Sequence, residues 1–297
     1  MTTYDYITSN KRKSVWMIII FTLLVMAVGA LVDYMYDGGG FILVLAVAYS
    51  LITSLVGFYS GDKVALAVSG AQEISQTDNP YLYRLVENLC ITTGMPMPKV
   101  HVINDPAINA FATGRDPQHS SIAVTTGALQ LLENEELEGV LAHELSHIKN
   151  YDIRVMTLVM VLAGTIAIIA DLVLRSFIWG GHSERRKEGG GALMIIGLIL
   201  MIVAPLVAQL IKLAVSRRRE LLADSSAALI TRFPEGLARA LEKIGAQNRP
   251  MQSTSSATAH LFIANPFSGK NLAALFSTHP PIEQRIQALR VMAGINE

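Results

Sequence analysis

Uncharged apolar runs alternate with stretches of mixed polarity, and this alternation divides the chain before any single residue is considered. Val15 to Val32, Phe41 to Ser60 and Ala192 to Ile211 carry no charge, and each, as a helix, is long enough to cross roughly 30 Å of hydrocarbon. A further run, Val155 to Trp179, is interrupted by Asp171 and Arg175, which lie four apart and can pair on one helix face. About four transmembrane helices are expected, in two hairpins at residues 1–60 and 154–216. Residues 61–153 and 217–297 are then two parts of one domain outside the bilayer.

Within that domain the period of the pattern changes. Tyr81 to Gly94 places Leu82, Leu85, Val86 and Leu89 at helical spacing, whereas Lys99 to Ile103, Ile108 to Gly114 and Ser121 to Gly127 are short β-prone segments. A small antiparallel sheet is expected from them. Its edge can accept an extended peptide as an added strand, or the sheet can serve core packing alone. A second helix is expected from Asn134, which can cap a first turn carrying Glu135 and Glu136. Leu137, Val140, Leu141, Leu145 and Ile148 form its apolar stripe.

Composition changes the picture in one respect. With 51% hydrophobic and 16% charged residues, the chain lies outside the usual soluble range and reads as a membrane protein embedded in a lipid bilayer. Lys11, Arg12 and Lys13 precede the first run like the basic region of a signal peptide, but the apolar stretch is long and a second span follows almost at once, as in an uncleaved anchor. Basic residues kept on the inner side place the N-terminus in the cytoplasm, Asp33 to Gly40 outside, and residues from about 61 onward in the cytoplasm again. Arg217 to Arg219 agree with this orientation and Arg185 to Lys187 do not, which leaves open a second hairpin that enters the membrane without crossing. Cys90 is the only cysteine, so no intramolecular disulfide can form, as suits a reducing compartment. A net charge of zero gives no field for nucleic acid.

Chemistry enters at His143-Glu144-Leu145-Ser146-His147, a complete H-E-x-x-H on the second helix. Histidines four apart project from one face, so both imidazoles can reach one ion while Glu144 points into the same space. That is the ligand spacing of a zinc peptidase. A catalytic zinc takes three protein ligands and keeps a position for water. Glu220 is the candidate for the third, with Asp224 one turn on and able to accept a hydrogen bond from a ligating imidazole. On spacing alone Glu220 reads more readily as a solvated charge beside three arginines than as a ligand.

Asn109-Ala110-Phe111-Ala112, the HELSH helix, the Arg217-x-x-Glu220-Leu221-Leu222-Ala223-Asp224 segment, His260-Leu261-Phe262-Ile263 and Thr278-His279-Pro280-Pro281 occur in this order among the apolar runs. Together they resemble the HtpX family of bacterial membrane-integrated zinc metallopeptidases of heat-shock quality control, related to the eukaryotic prenyl-protein endopeptidases. The resemblance covers nearly the whole chain. It implies an α-helical membrane protein with a mostly α, gluzincin-type peptidase domain carrying the small sheet and facing the cytoplasm from a bacterial inner membrane. It also implies one zinc per chain on His143, His147 and Glu220, Glu144 as general base, and substrates among damaged or misfolded membrane proteins.

The reaction so implied is hydrolysis of a peptide bond by water, Glu144 taking a proton and returning it to the leaving amine. His279, ahead of a Pro280-Pro281 pair, is a candidate donor to the developing oxyanion, or a turn residue. Asn109 is a candidate for hydrogen bonding substrate backbone, or a turn-forming asparagine. Other classes predict different features. A scaffold with a structural metal would not need Glu144, and a processing peptidase for lipidated protein termini would need a large enclosed membrane chamber. A channel or transporter would show paired polar residues in several spans.

Overall fold

The computed structural model describes residues 3–35, 37–179, 217–247, 249–252, 255, 257–267 and 280–294. Three of the expected apolar runs lie in long helices: α1 (Thr3–Met35), α2 (Phe41–Val68) and α6 (Asp152–Trp179). Each is long and apolar enough to cross a membrane. The Ala192 to Ile211 run, and any pairing of Asp171 with Arg175, lie outside the described residues. α1 and α2 expose Trp16, Leu23, Val44, Ile52 and Leu55, a surface that suits hydrocarbon and would be costly in water. By contrast α6 is enclosed, with 67% of its span buried against 22% for each of the other two. Gly57 and Gly61, one turn apart on α2, permit that enclosure: a Cβ at Gly61 would stand 2.6 Å from the Thr157 methyl group of α6. Small residues at this spacing let two helix backbones approach closely.

The sheet comprises β1 (Ala71–Glu73), β2 (Lys99–Ile103), β3 (Ala110–Asp116) and β4 (His119–Thr125) in the order β1-β2-β4-β3. It is mixed, not wholly antiparallel. β1 to β2 and β3 to β4 are antiparallel, whereas β2 and β4 pair in parallel, Val100 opposite Ile122 and Val102 opposite Val124. The connection 104–109 explains this, because it carries the chain past a vacant position to the far edge before β3 begins, so that the hairpin returns β4 beside β2. Alternation along the strands separates two cores. Val100, Ala110, Ala112, Ile122 and Val124 face the peptidase-domain helices, while Ile103, Phe111 and Ala123 face α2 and α6 through Ala65, Leu66, Met156 and Met160.

Against the first face lie α3 (Pro80–Thr93), α5 (Asn134–Lys149), α7 (Arg217–Thr231), α8 (Pro234–Gln247) and α9 (Ile282–Met292), with the short α4 (Thr126–Leu131) leading into α5. α5 is buried from Glu136 to Ile148 except at Glu138. Its cap is Glu133, one residue before the expected Asn134. Glu133 is extended, and its N–H donates to the Glu136 carboxylate at 2.8 Å, which closes the turn from the residue three positions on. Glu136 also receives Lys243 of α8 at 2.7 Å, and Gly139 lets the two helices touch at Leu237.

Candidate active site

Two helices meet at the centre of this domain. α5 brings His143 and His147 to one face, their Nε2 atoms 3.2 Å apart. α7 brings Glu220, whose carboxylate lies 3.7 Å from His143 Nε2 and 3.6 Å from His147 Nε2. These separations suit ligands of a single tetrahedral ion, for which metal bonds of about 2.0–2.1 Å place neighbouring donors roughly 3.3–3.4 Å apart. His143, His147 and Glu220 could thus hold a metal ion.

The far nitrogens of the imidazoles strengthen the fit. His143 Nδ1 lies 2.9 Å from Asp224 Oδ1 and His147 Nδ1 lies 3.1 Å from Asp152 Oδ2. With each Nδ1–H donated to a carboxylate, both Nε2 atoms present lone pairs to one another at 3.2 Å. Two lone pairs at that distance repel unless a cation lies between them, either a proton or a metal. The donor set, two imidazole nitrogens and a carboxylate, is the chemistry zinc prefers.

Each supporting carboxylate has its own support. Asp224 is fully buried and receives Arg285 of α9 through Nε at 2.9 Å and Nη2 at 2.7 Å. A third guanidinium bond, from Nη1 to Ile263 O at 3.2 Å, ties in the segment before α9. Burial alone would raise Asp224, but Arg285 and His143 outweigh it and hold the carboxyl well below the usual range. Asp152 receives Asn10 Nδ2 at 2.8 Å and Arg219 Nη1 at 3.4 Å. The two imidazoles diverge accordingly. Burial drives His143 down to about 4, with the Asp224 hydrogen bond opposing and Arg285 adding to the fall. In His147 burial acts in the same sense but is outweighed by Asp152 and Glu220, which push it up to about 9.

Glu144 is 2% exposed, and burial raises it to about 7 against the opposing effect of His147 and a hydrogen bond from the Ala112 backbone. A carboxylate poised near neutrality suits proton transfer at physiological pH. Ala112 belongs to β3, so the edge strand and α5 meet at Glu144.

That edge is not bare. Ala110 O accepts from Ile263 N–H at 3.0 Å, Gly114 N–H donates to Thr157 Oγ1 at 3.3 Å, and Arg154 Nε donates to Arg115 O. Phe262 packs edge-on against Phe111 with ring centres 4.9 Å apart. Asn109 does not present its amide to a cleft. It is 3% exposed, donates to Ala264 O at 3.1 Å and accepts from Ala110 N–H at 3.1 Å, so it fastens segment 262–264 to β3. His279 lies outside the described residues, as does His182. His101 is buried in β2, His119 pairs with Asp116 at 2.7 Å on the surface, and His260 bonds Met156 O at 3.0 Å. None of the three approaches the centre. Sequence reasoning missed Asp152, Arg285, Arg219 and Asn10. Of these, Asp152 alone had a local signal, as the charge that opens an apolar helix five residues after His147.

Two histidines four apart on a buried helix, a glutamate between them and a carboxylate from a second helix define the HExxH class of metallopeptidase. Within that class the chain belongs to peptidase family M48, whose profile matches residues 76–293. It is 47% identical over 294 residues to Protease HtpX homolog of Tropheryma whipplei (strain Twist), covering 98% of this chain and 99% of that protein. It is 46% identical over 293 residues to Protease HtpX homolog of Caldanaerobacter subterraneus subsp. tengcongensis, covering 97% of each. The fold is similar to that in the crystal structure of S. mikatae Ste24p, with a TM-score of 0.51 at 18% identity, covering 92% of this chain and 66% of that one. The protein is a membrane-bound metalloprotease.

Proposed function

We propose that the protein is a zinc endopeptidase that hydrolyses damaged or misfolded membrane proteins at the cytoplasmic face of a bacterial inner membrane. The observation that carries this is the convergence of His143 Nε2, His147 Nε2 and the Glu220 carboxylate within 4.8 Å of one another, with both Nδ1 atoms held on carboxylates. In this reading His143, His147 and Glu220 hold one zinc, which supplies acidification of water and polarisation of the scissile carbonyl when bound. Glu144 accepts the proton of the attacking water and returns it to the leaving amine, a role favoured by its rise to about 7. Asp224 and Asp152 keep the imidazoles in the tautomer that turns Nε2 toward the ion.

The orientation rests on the basic residues 11–13 and 217–219 on one side of the apolar helices. The substrate class rests on position. Asp152, which touches His147, also begins an apolar span, so the centre lies within about two helical turns of the bilayer surface. Segments of membrane proteins that emerge there are within reach, whereas peptide bonds in mid-bilayer are not. The quality-control role follows from the resemblance to the HtpX family, whose name the relatives bear.

The test compares wild type with Glu144→Gln, both purified in detergent, stripped of metal and reloaded with zinc. Cleavage of an unfolded protein is followed over time and metal content is measured. Both should hold about one zinc and only wild type should cut. If Glu144→Gln cuts at the wild-type rate, Glu144 is not the base. Zinc retention with no cleavage by either would favour a structural-metal scaffold.

A further inference from the structure

We infer that Asp152 and Asn10 are positioning residues of the metal centre, and that the first apolar helix is thereby a working part of the active site. This rests on the zinc reading above and extends it to a part of the chain that sequence assigns only to anchoring.

Asn10 lies in the third turn of α1 and is 1% exposed. Its side-chain amide donates twice, to Asp152 Oδ1 at 2.8 Å and to Asn150 O at 2.9 Å. The two acceptors flank Tyr151, which joins α5 to α6 with φ at +60°, a conformation that a bulky L residue adopts only when its surroundings impose it. Lys11 lies over the Tyr151 ring at 4.6 Å and Arg154 at 5.0 Å. α1 therefore clamps the corner at which the ligand helix turns into an apolar span.

The geometry makes the clamp functional as well as structural. One oxygen of Asp152 faces His147 Nδ1 at 3.1 Å, and the other receives Asn10 and, at 3.4 Å, Arg219. The carboxylate is 2% exposed, too buried for water to fix its rotation. Asn10 supplies the shorter of the two bonds on the rear oxygen, and so sets the plane of the carboxylate that sets the plane of the His147 ring. Removing a group that orients a ligating imidazole typically costs about ten- to a hundredfold in metal affinity.

The test uses the full chain in detergent, on a Glu144→Gln background to prevent self-cleavage, with zinc affinity measured by competition with a chelator. The visible spectrum of the cobalt-substituted protein reports the geometry of the ligands. Asp152→Asn should weaken zinc about ten- to a hundredfold and Asn10→Leu about tenfold, each shifting the cobalt bands without abolishing them. Met17→Ala removes packing from the same helix at a buried position against α6, and should leave affinity and spectrum unchanged. Unaltered affinity and spectrum in both Asp152→Asn and Asn10→Leu would overturn the inference while leaving the metal site in place. So would a loss in Met17→Ala equal to that in Asn10→Leu, because general loosening of α1 would then suffice. If the parent chain binds no zinc, the metal centre itself falls, and this inference with it.

Discussion

Arg285→Met is the sharpest perturbation of the site's support that avoids every proposed metal ligand. Arg285 is fully buried and makes two bonds to Asp224 and one to Ile263 O. Methionine fills much of the volume and supplies no donor, so the Asp224 carboxylate is left buried beside His143 with no cation. Removing one partner of a buried ion pair costs about 3–5 kcal/mol, and the orphaned carbonyl adds about 1–3 kcal/mol. Better burial of an apolar side chain returns about 1–2 kcal/mol. The net expectation is a loss of about 3–6 kcal/mol, which for a chain of this size is roughly 10 °C in Tm. The assay is thermal unfolding of metal-free protein in detergent on the Glu144→Gln background, so that neither metal binding nor self-cleavage enters the comparison, at one fixed scan rate. The reasoning makes a second demand. In Asp224→Asn/Arg285→Met the charge at position 224 is no longer stranded, and about 2 kcal/mol should return relative to Arg285→Met. A loss below about 1 kcal/mol in Arg285→Met, or a double variant no more stable than it, would refute the account of Asp224 as a carboxylate held by a buried cation.

Two further expectations follow from packing and burial. Gly139→Ala would bring a Cβ to 2.8 Å from Leu237 N and 2.9 Å from Leu237 Cα. Backbone cannot yield there, so a net loss of about 1–2 kcal/mol is expected even after the helix propensity of alanine is credited, read as a lower unfolding midpoint; an unchanged midpoint would mean that α5 and α8 separate easily. Cys90 is 4% exposed, and burial pushes its thiol up to about 11. At pH 8 roughly one thiol in a thousand is then ionised, so iodoacetamide should label the folded protein at least about a hundredfold more slowly than the protein in denaturant. Equal rates would place Cys90 at the surface.

The parts of this molecule legible in its sequence are those written at short period. His143 and His147 are four apart on one helix, as are Glu220 and Asp224, although spacing alone favoured a solvated Glu220 and the family resemblance pointed to it as a ligand; the structure brings the four side chains together. The apolar runs of α1, α2 and α6 and the strand at Lys99–Ile103 were equally local. What was not legible depends on which distant elements touch. Arg285 reads as a solvated charge on an amphipathic helix until α9 is seen to pack on α7, and Asn10 reads as a polar residue ahead of an anchor until α1 reaches Asp152, 142 positions away. The parallel pairing of β2 with β4 was missed for a related reason. A turn between β3 and β4 predicts their hairpin, but nothing local says that β4 will enter between β2 and β3. Asn109 reads from sequence as a candidate for substrate backbone or as a turn residue, and only the fold shows its amide bonded to Ala264 O.

The groups that support the two imidazoles come from nearly opposite ends of the chain, Asn10 from α1 and Arg285 from α9. Synthesis proceeds from the first toward the second. Until α9 is made, the Asp224 carboxylate lacks its guanidinium and Ile263 O its donor, so the partner of the His143 imidazole is not held in place. Because α9 follows α5 and α7 in the sequence, the centre gains its full support only after the helices that carry its proposed ligands have been made.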